Sequence, residues 1–228
     1  MRLSERLVER AVDGLVSLLC KVDGTEKLGA VPTHGPLILV TNHISFLEIP
    51  VLWKHLRPRR VVGLAKAEAW ENPFLGRLLN MWEAIPIRRG ANDITALRKS
   101  LAVLKEGRIL GLAPEGTRSG DGRLQRGRSG AVTIALRGDA PLLPVAYWGG
   151  EKLKACVRRL RRTPFHFNVG EPFRIVTDGI RVTSEIRQQI VDEIMVQLAK
   201  LLPTEYHGVY ADRVSSPPAY LAFDVAAP

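Results

Sequence analysis

The chain is poor in cysteine, in long apolar runs and in acidic residues, and each shortage excludes something. Its 228 residues hold two cysteines, Cys20 and Cys156, with no C-x-x-C spacing. Two such thiols cannot assemble a metal site, so reduced, cytoplasmic surroundings are the direct reading and a single Cys20–Cys156 disulfide the alternative. No apolar run reaches the roughly 20 residues that cross a bilayer. Glu5, Arg6, Glu9, Arg10 and Asp13 interrupt what would be the apolar region of a signal peptide. There is no internal repeat, no linker and no recognised nucleic-acid-binding motif. What remains is one domain spanning 1–228, with the 46% hydrophobic and 25% charged make-up of an ordinary globular protein. The acidic deficit, 23 Asp plus Glu against 33 Lys plus Arg, leaves a net charge of +10. That points to an anionic partner: a phosphate, an anionic lipid headgroup or nucleic acid.

Periodicity gives the organisation. Residues 4–20 carry Leu7, Val8, Ala11, Val12, Leu15, Leu18 and Leu19 at helical spacing, opposite Glu5, Arg6, Glu9 and Asp13, with Ser4 as N-cap. This amphipathic helix is expected to pack on the domain core rather than to lie on a bilayer, because its polar face is mixed rather than Lys-rich. Strands are expected at about 36–41, 60–65, 108–113 and 141–147, and helices at about 50–56 and 93–105. The alternation predicts an α/β fold. Lys152 to Arg158 and Phe165 to Val169 alternate apolar with polar, as half-exposed antiparallel strands do, so the sheet is expected to be mixed. A late helix follows Thr183 and Ser184, with Ile186, Ile190, Val191, Ile194, Leu198 and Leu201 on one face, and stops before Pro203. Residues 204–228 read as a C-terminal tail docked through Tyr220 and Phe223.

Two loops carry chemistry. After the apolar run Leu37 to Val40, residues 41–50 read TNHISFLEIP. His43 and Glu48 are five apart, about 140° around a continuous helix, and could not touch there. Pro50 fits only a first helical turn, so 43–48 is predicted to be a strand-to-helix turn that folds Glu48 back onto His43. A carboxylate on one imidazole nitrogen leaves the other basic and oriented, the base and orienter of a triad whose nucleophile is a substrate hydroxyl. Ser45 lacks a G-x-S-x-G elbow and reads as a cap or turn residue. The second loop, Gly111 to Leu124, again follows an apolar strand. Its P-E-G-T-R offers backbone N–H groups, a hydroxyl and the Arg118 guanidinium, the inventory for holding a phosphate. Taken singly, each of these residues is as readily a hydrogen-bonded histidine, a solvated helix-start charge or a surface turn.

Together the loops resemble the glycerolipid acyltransferases of the 1-acylglycerol-3-phosphate acyltransferase (lysophosphatidate acyltransferase) family, and four blocks match in order along most of the chain. The N-H-x(4)-D of the family is similar to Asn42-His43 through Glu48, an HX4E variant with glutamate for the usual aspartate. The K-x-E-x(4)-P-x-x-G block is similar to Lys66, Glu68, Pro73 and Gly76, followed by the strand Ile85, Ile87 and Arg89, with Arg88 where an aspartate is common. F-P-E-G-T-R-S reads Ala113 to Ser119, differing in its first residue, and the fourth block matches Ala140 to Val145, with Gly170-Glu171-Pro172 beyond.

The resemblance implies a mixed, largely parallel central sheet flanked by helices, glycerol-3-phosphate acyltransferase-like, with the N-terminal amphipathic helix appended. It implies transfer of a fatty acyl group from acyl-CoA or acyl carrier protein to the hydroxyl of a lysophospholipid acceptor in phospholipid biosynthesis. His43 is then the general base and Glu48 its orienter, while Lys66, Arg89, Glu115, Gly116, Thr117 and Arg118 bind substrate and Glu115 orients Arg118. No metal or prosthetic group is implied. The basic clusters Arg57 to Arg60 and Arg158 to Arg162 fit an anionic membrane surface, with Trp53, Trp70 and Trp82 marking either its side or the core. The expected location is cytoplasmic and peripheral, on the inner face of the membrane. No nucleic-acid partner is expected. A basic nucleic-acid-binding protein, a non-catalytic lipid binder and an acyltransferase for another lysolipid are the alternatives.

Overall fold

The computed structural model of the chain describes residues 3–88 and 93–223. Its centre is β2 (Leu37–Thr41), in which all five residues are buried. A strand covered on both faces needs apolar side chains at successive positions, and Leu-Ile-Leu-Val supplies them. Parallel neighbours flank it, β5 (Ile109–Leu112) on one side and β6 (Leu142–Trp148) on the other. Outside β5 lie β3 (Val61–Lys66) and β4 (Ile85–Ile87), also parallel. Outside β6 the direction reverses. The strand β7 (Thr163–Val169) pairs antiparallel with β6, and β1 (Cys20–Asp23) lies parallel to β7, giving the order β1-β7-β6-β2-β5-β3-β4.

Helices cover both faces. One face stacks Ile38, Val40, Leu110 and Leu112 against α4 (Ile94–Lys105), α5 (Gly130–Gly138) and α7 (Ser184–Leu201). The other stacks Leu37, Leu39, Ile109 and Val145 against α1 (Leu3–Leu19) and α2 (Glu48–His55). Each of these side chains stabilises the fold by about 2 kcal/mol when fully buried. Capping matches the sequence signals. The Asp93 carboxylate accepts from Ala96 N, the Thr183 hydroxyl accepts from Ile186 N, and Asn72 caps α3 (Pro73–Met81), whose first residue is the proline.

Most of the expected strands and helices are present within a residue or two, and the differences are these. Lys152 to Arg158 is not a strand: after Gly149, at φ 91, the chain enters a short helix, α6 (Leu153–Arg158). Leu153, Cys156 and Val157 also recur at the i, i+3, i+4 spacing of a helix, so over seven residues the two periods are indistinguishable there. The apolar side of α1 faces the core only in part, through Val12, Val16 and Leu19. Leu7, Leu15 and Leu18 are exposed while Glu9 is 8% accessible. The Arg57 guanidinium bonds Asp13 and pairs with Glu9, and the Lys54 ammonium bonds the Asp13 carbonyl and Ser17, so the polar side docks on α2, with Val16 completing the contact. Trp53 and Trp82 are interior, their ring centroids 6.3 Å apart and tilted at 51° within a small core, so of the two readings they take the core; Trp70 donates to Asn80.

Arg57 to Arg60 is likewise no free basic patch. Arg57 serves α1, and Arg59 donates to the carbonyls of Pro32, His34, Gly35 and Gly107. Arg60 pairs with Glu83 and lies over Trp53. The segment after α7 does dock. Glu193 accepts from Ala219 N and Tyr220 N, β8 (Arg174–Ile175) pairs with β9 (Leu221–Ala222), and Tyr220 and Phe223 pack on the core. Cys20 and Cys156 are free thiols.

Candidate active site

Parallel pairing assembles the site. Val40 is in register with Leu112 and Thr41 with Val145, so β2, β5 and β6 leave the sheet side by side at their carboxyl ends. Open α/β sheets place their ligand crevices at that edge. The His43 turn and the Pro114–Arg118 loop, seventy residues apart in sequence, therefore emerge as neighbours.

Asn42, fully buried, starts the turn. Its amide donates to the Tyr147 carbonyl at 2.8 Å and accepts from Tyr147 N at 3.0 Å, adding one side-chain rung between β2 and β6. The chain then folds as expected. Glu48 opens α2, and its Oε2 lies 2.6 Å from His43 Nδ1. Its Oε1 accepts from Ile44 N at 2.6 Å and from Ser45 N. Ser45 Oγ in turn accepts from Leu47 N at 3.1 Å. The glutamate thus uses its extra methylene to satisfy two amides of the turn as well as the imidazole. Its side chain is 3% exposed and the imidazole 25%. His43 Nε2 has no hydrogen-bond partner among the described residues, so the ring is held by one nitrogen and presents the other. The phenol of fully buried Tyr147 lies against Glu48; burial and then the Glu48 charge raise its pKa well above the usual tyrosine value. It stays neutral.

Glu115 joins the two loops from beneath. It is 1% exposed, and its carboxyl accepts from His43 N and Gln125 N, both at 3.4 Å. Ser119 N closes the junction on the His43 carbonyl at 2.8 Å. Burial raises the Glu115 pKa from 4.5 to about 8, the amide bonds from Gln125 and His43 opposing it. No bond joins Glu115 to Arg118 among the described residues. The carboxyl props the two backbones and does not orient the guanidinium as expected. Gly116, at φ 67, closes a turn on the Ala113 carbonyl at 3.0 Å. Thr117 is half-buried. Arg118 is exposed and makes no hydrogen bond or ion pair among the described residues. Lys66 is exposed at the end of β3, on the same edge of the sheet. Arg89 lies outside the described residues.

Arg128 was not singled out in the sequence, where it is one of three similar arginines in RLQRGR. Its Nε donates to the Glu115 carbonyl at 3.1 Å and its backbone N to the Pro114 carbonyl at 2.8 Å. A Cβ on Gly116 would lie 2.9 Å from Arg128 Cδ, so a glycine is needed where this side chain passes under the loop. Two guanidinium groups, on Arg118 and Arg128, therefore stand on the loop that abuts His43. Among the described residues no cluster of His, Cys, Asp and Glu could hold a metal ion. Chemically, the arrangement can take a proton at Nε2, hold the resulting imidazolium on a carboxylate and neutralise an anion alongside.

Comparison with known proteins agrees. The profile of the family described as Acyltransferase matches residues 20–148. The chain is 30% identical over 173 residues to the 1-acyl-sn-glycerol-3-phosphate acyltransferase of Bacillus subtilis (strain 168), a match covering 75% of this chain and 83% of that one. It is 33% identical over 112 residues to the lyso-ornithine lipid O-acyltransferase of Pseudomonas aeruginosa, covering 49% of this chain and 42% of that one. The crystal structure of the 1-acyl-sn-glycerophosphate acyltransferase PlsC from Thermotoga maritima shares the fold, with a TM-score of 0.57 and 24% identity over 83% of this chain and 76% of that one. With the profile spanning more than half of its length and both site loops inside the match, the chain belongs to the acyltransferase family.

Proposed function

We propose that this acyltransferase moves a fatty acyl group from a thioester, acyl-CoA or acyl carrier protein, to the free hydroxyl of a 1-acylglycerol 3-phosphate. The observation that carries the reading is the 2.6 Å contact between His43 Nδ1 and Glu48 Oε2, made where the Arg118 loop is tied to the same turn. His43 Nε2 accepts the hydroxyl proton as that oxygen attacks the thioester carbonyl. The tetrahedral intermediate collapses, the C–S bond breaks, and the imidazolium returns the proton to the departing thiolate. Glu48 fixes the tautomer and stabilises the imidazolium. Arg118 and the backbone of Gly116 and Thr117 bind the acceptor phosphate, with Lys66 and Arg89 contributing charge. An Arg fork suits a phosphate better than a point charge. The work is done at a membrane surface, because both the acceptor and its product are lipids.

The test is to incubate the protein with acyl-CoA, acyl carrier protein thioesters and a mixture of 1-acylglycerol 3-phosphate, glycerol 3-phosphate and lyso-ornithine lipid, and to identify the product by mass spectrometry. Diacylglycerol 3-phosphate is expected, and folded His43→Ala is expected to form it about 10²- to 10⁴-fold more slowly. Undiminished turnover by that variant overturns the mechanism, and exclusive acylation of another acceptor overturns the substrate assignment.

A further inference from the structure

The second arginine run is unlike the first. It spans the end of α6 and the turn into β7, and only Arg162 is engaged, donating through Nε and Nη2 to the Cys20 carbonyl. Arg158, Arg159 and Arg161 are exposed and have no side-chain partner among the described residues. Leu160, between the last two, is 97% exposed and sits at φ 51, and Val157 a turn earlier is 45% exposed. A leucine in the left-handed region is strained, and here it buries nothing in return. The fold therefore gains nothing from an apolar tip between guanidinium groups.

The position of the tip matters. The strands β2 and β6 run parallel, so the segment after β6 leaves the sheet at the edge where His43 follows β2. A Cβ on Gly150, at the base of this segment, would lie 3.0 Å from Ser45 Oγ, beside the histidine turn. We propose that residues 157–162 are a docking element for an anionic lipid bilayer, in which Arg158, Arg159 and Arg161 engage headgroup phosphates while Leu160 enters the acyl layer, on the same edge of the sheet as His43. Long basic side chains with an apolar neighbour suit the headgroup boundary. A lone leucine offers a protein partner little area to bury, and single-stranded nucleic acid is held by aromatic stacking that the tip lacks. Only the functional sense of facing the site towards the bilayer rests on the acyltransferase reading; the attachment itself does not.

The experiment is co-sedimentation of the full chain, without substrate, with phosphatidylcholine vesicles containing or lacking phosphatidylglycerol. Three variants are compared: Arg158→Gln/Arg159→Gln/Arg161→Gln, Leu160→Asp, and a control with equal charge loss on the exposed surface of α4, Arg98→Gln/Lys99→Gln/Lys105→Gln. Each basic residue near an anionic surface raises partition about fivefold. The loop triple is therefore expected to bind phosphatidylglycerol vesicles about a hundredfold more weakly, Leu160→Asp about tenfold, and the control only a few-fold, with melting temperatures and turnover of a soluble short-chain acceptor unchanged. Equal losses in the loop and control triples overturn the proposal, because net charge alone would then explain attachment. So does undiminished partition in the loop triple together with lost binding to an acyl carrier protein, which would assign the loop to a protein partner. Normal partition changes in a protein that proves to lack acyl transfer would sink the functional reading and leave the docking element standing.

Discussion

The histidine turn and the arginine loop face each other at one sheet edge but are held in opposite ways. The turn is held largely from within: Glu48 serves His43, Ile44 and Ser45, all within five residues, while Asn42 ties it to β6 and the His43 backbone ties it to Glu115 and Ser119. The loop is held from a distance. Leu124 N donates to the Tyr206 carbonyl and Val209 N to the Leu124 carbonyl. Tyr210 Oη accepts from Gly127 N at 2.8 Å and donates to Asp192 at 2.9 Å, so residues after α7 brace the loop from behind. A group that moves protons needs fixed geometry, which local bonds give. An anion cradle needs its donors exposed, so its support has to come from elsewhere.

If that contrast is right, damage to the turn lowers kcat and damage to the loop raises KM for the acceptor. The largest effect is expected from Glu48→Gln. Its amide would donate to His43 Nδ1 and leave the proton on Nε2, the tautomer that cannot act as a base, and kcat should fall by about 10³-fold or more. An unchanged kcat would remove Glu48 from the mechanism. Next, Arg118→Lys keeps the charge but loses the fork, and steady-state kinetics should show KM for the acceptor rising by about tenfold with kcat nearly constant. An effect on kcat alone would mean that the loop acts on the reaction rather than on binding. Tyr210→Phe should destabilise the fold by about 2 kcal/mol in denaturant titration, since it strands the Gly127 amide and removes one of the donors to Asp192, and should raise KM more than it lowers kcat.

The last effect, on stability alone, concerns the residue shared by both regions. Folded Glu115 keeps its proton up to about pH 8, whereas the unfolded chain releases it near 4.5. Between those values the folded state binds the extra proton, so raising the pH favours unfolding. The melting temperature is expected to fall over that window, and Glu115→Gln to flatten the slope. An equally steep slope in the variant would remove Glu115 as its source.

How far the sequence could be read follows the same division. Pro50 and the five-residue spacing foretold the His43–Glu48 contact because all its partners are local. Nothing near Arg128 distinguishes it from Arg123 or Arg126; what does is a glycine twelve residues away that leaves room for its side chain. The brace by Tyr206 and Tyr210 comes from some eighty residues downstream. The apolar runs of the strands foretold the sheet, but α1 follows its own periodicity only in part because Lys54 on α2 and Arg57 just after it supply partners for its polar side. Two arginine runs of equal appearance met opposite fates for a similar reason. One lies over unpaired carbonyls and carboxylates; most of the other does not. Charge shows in a sequence, and the acceptors waiting for it do not.

The amide of Asn42 makes the His43 turn in effect an extension of the sheet. A residue anchored to the stiffest part of the molecule has no hinge of its own, so whatever meets it must travel to it, and any adjustment around a ligand falls to the opposite wall. On the proposed function, selection for a different acceptor can then rework that wall while His43 and Glu48 stay where the strands put them.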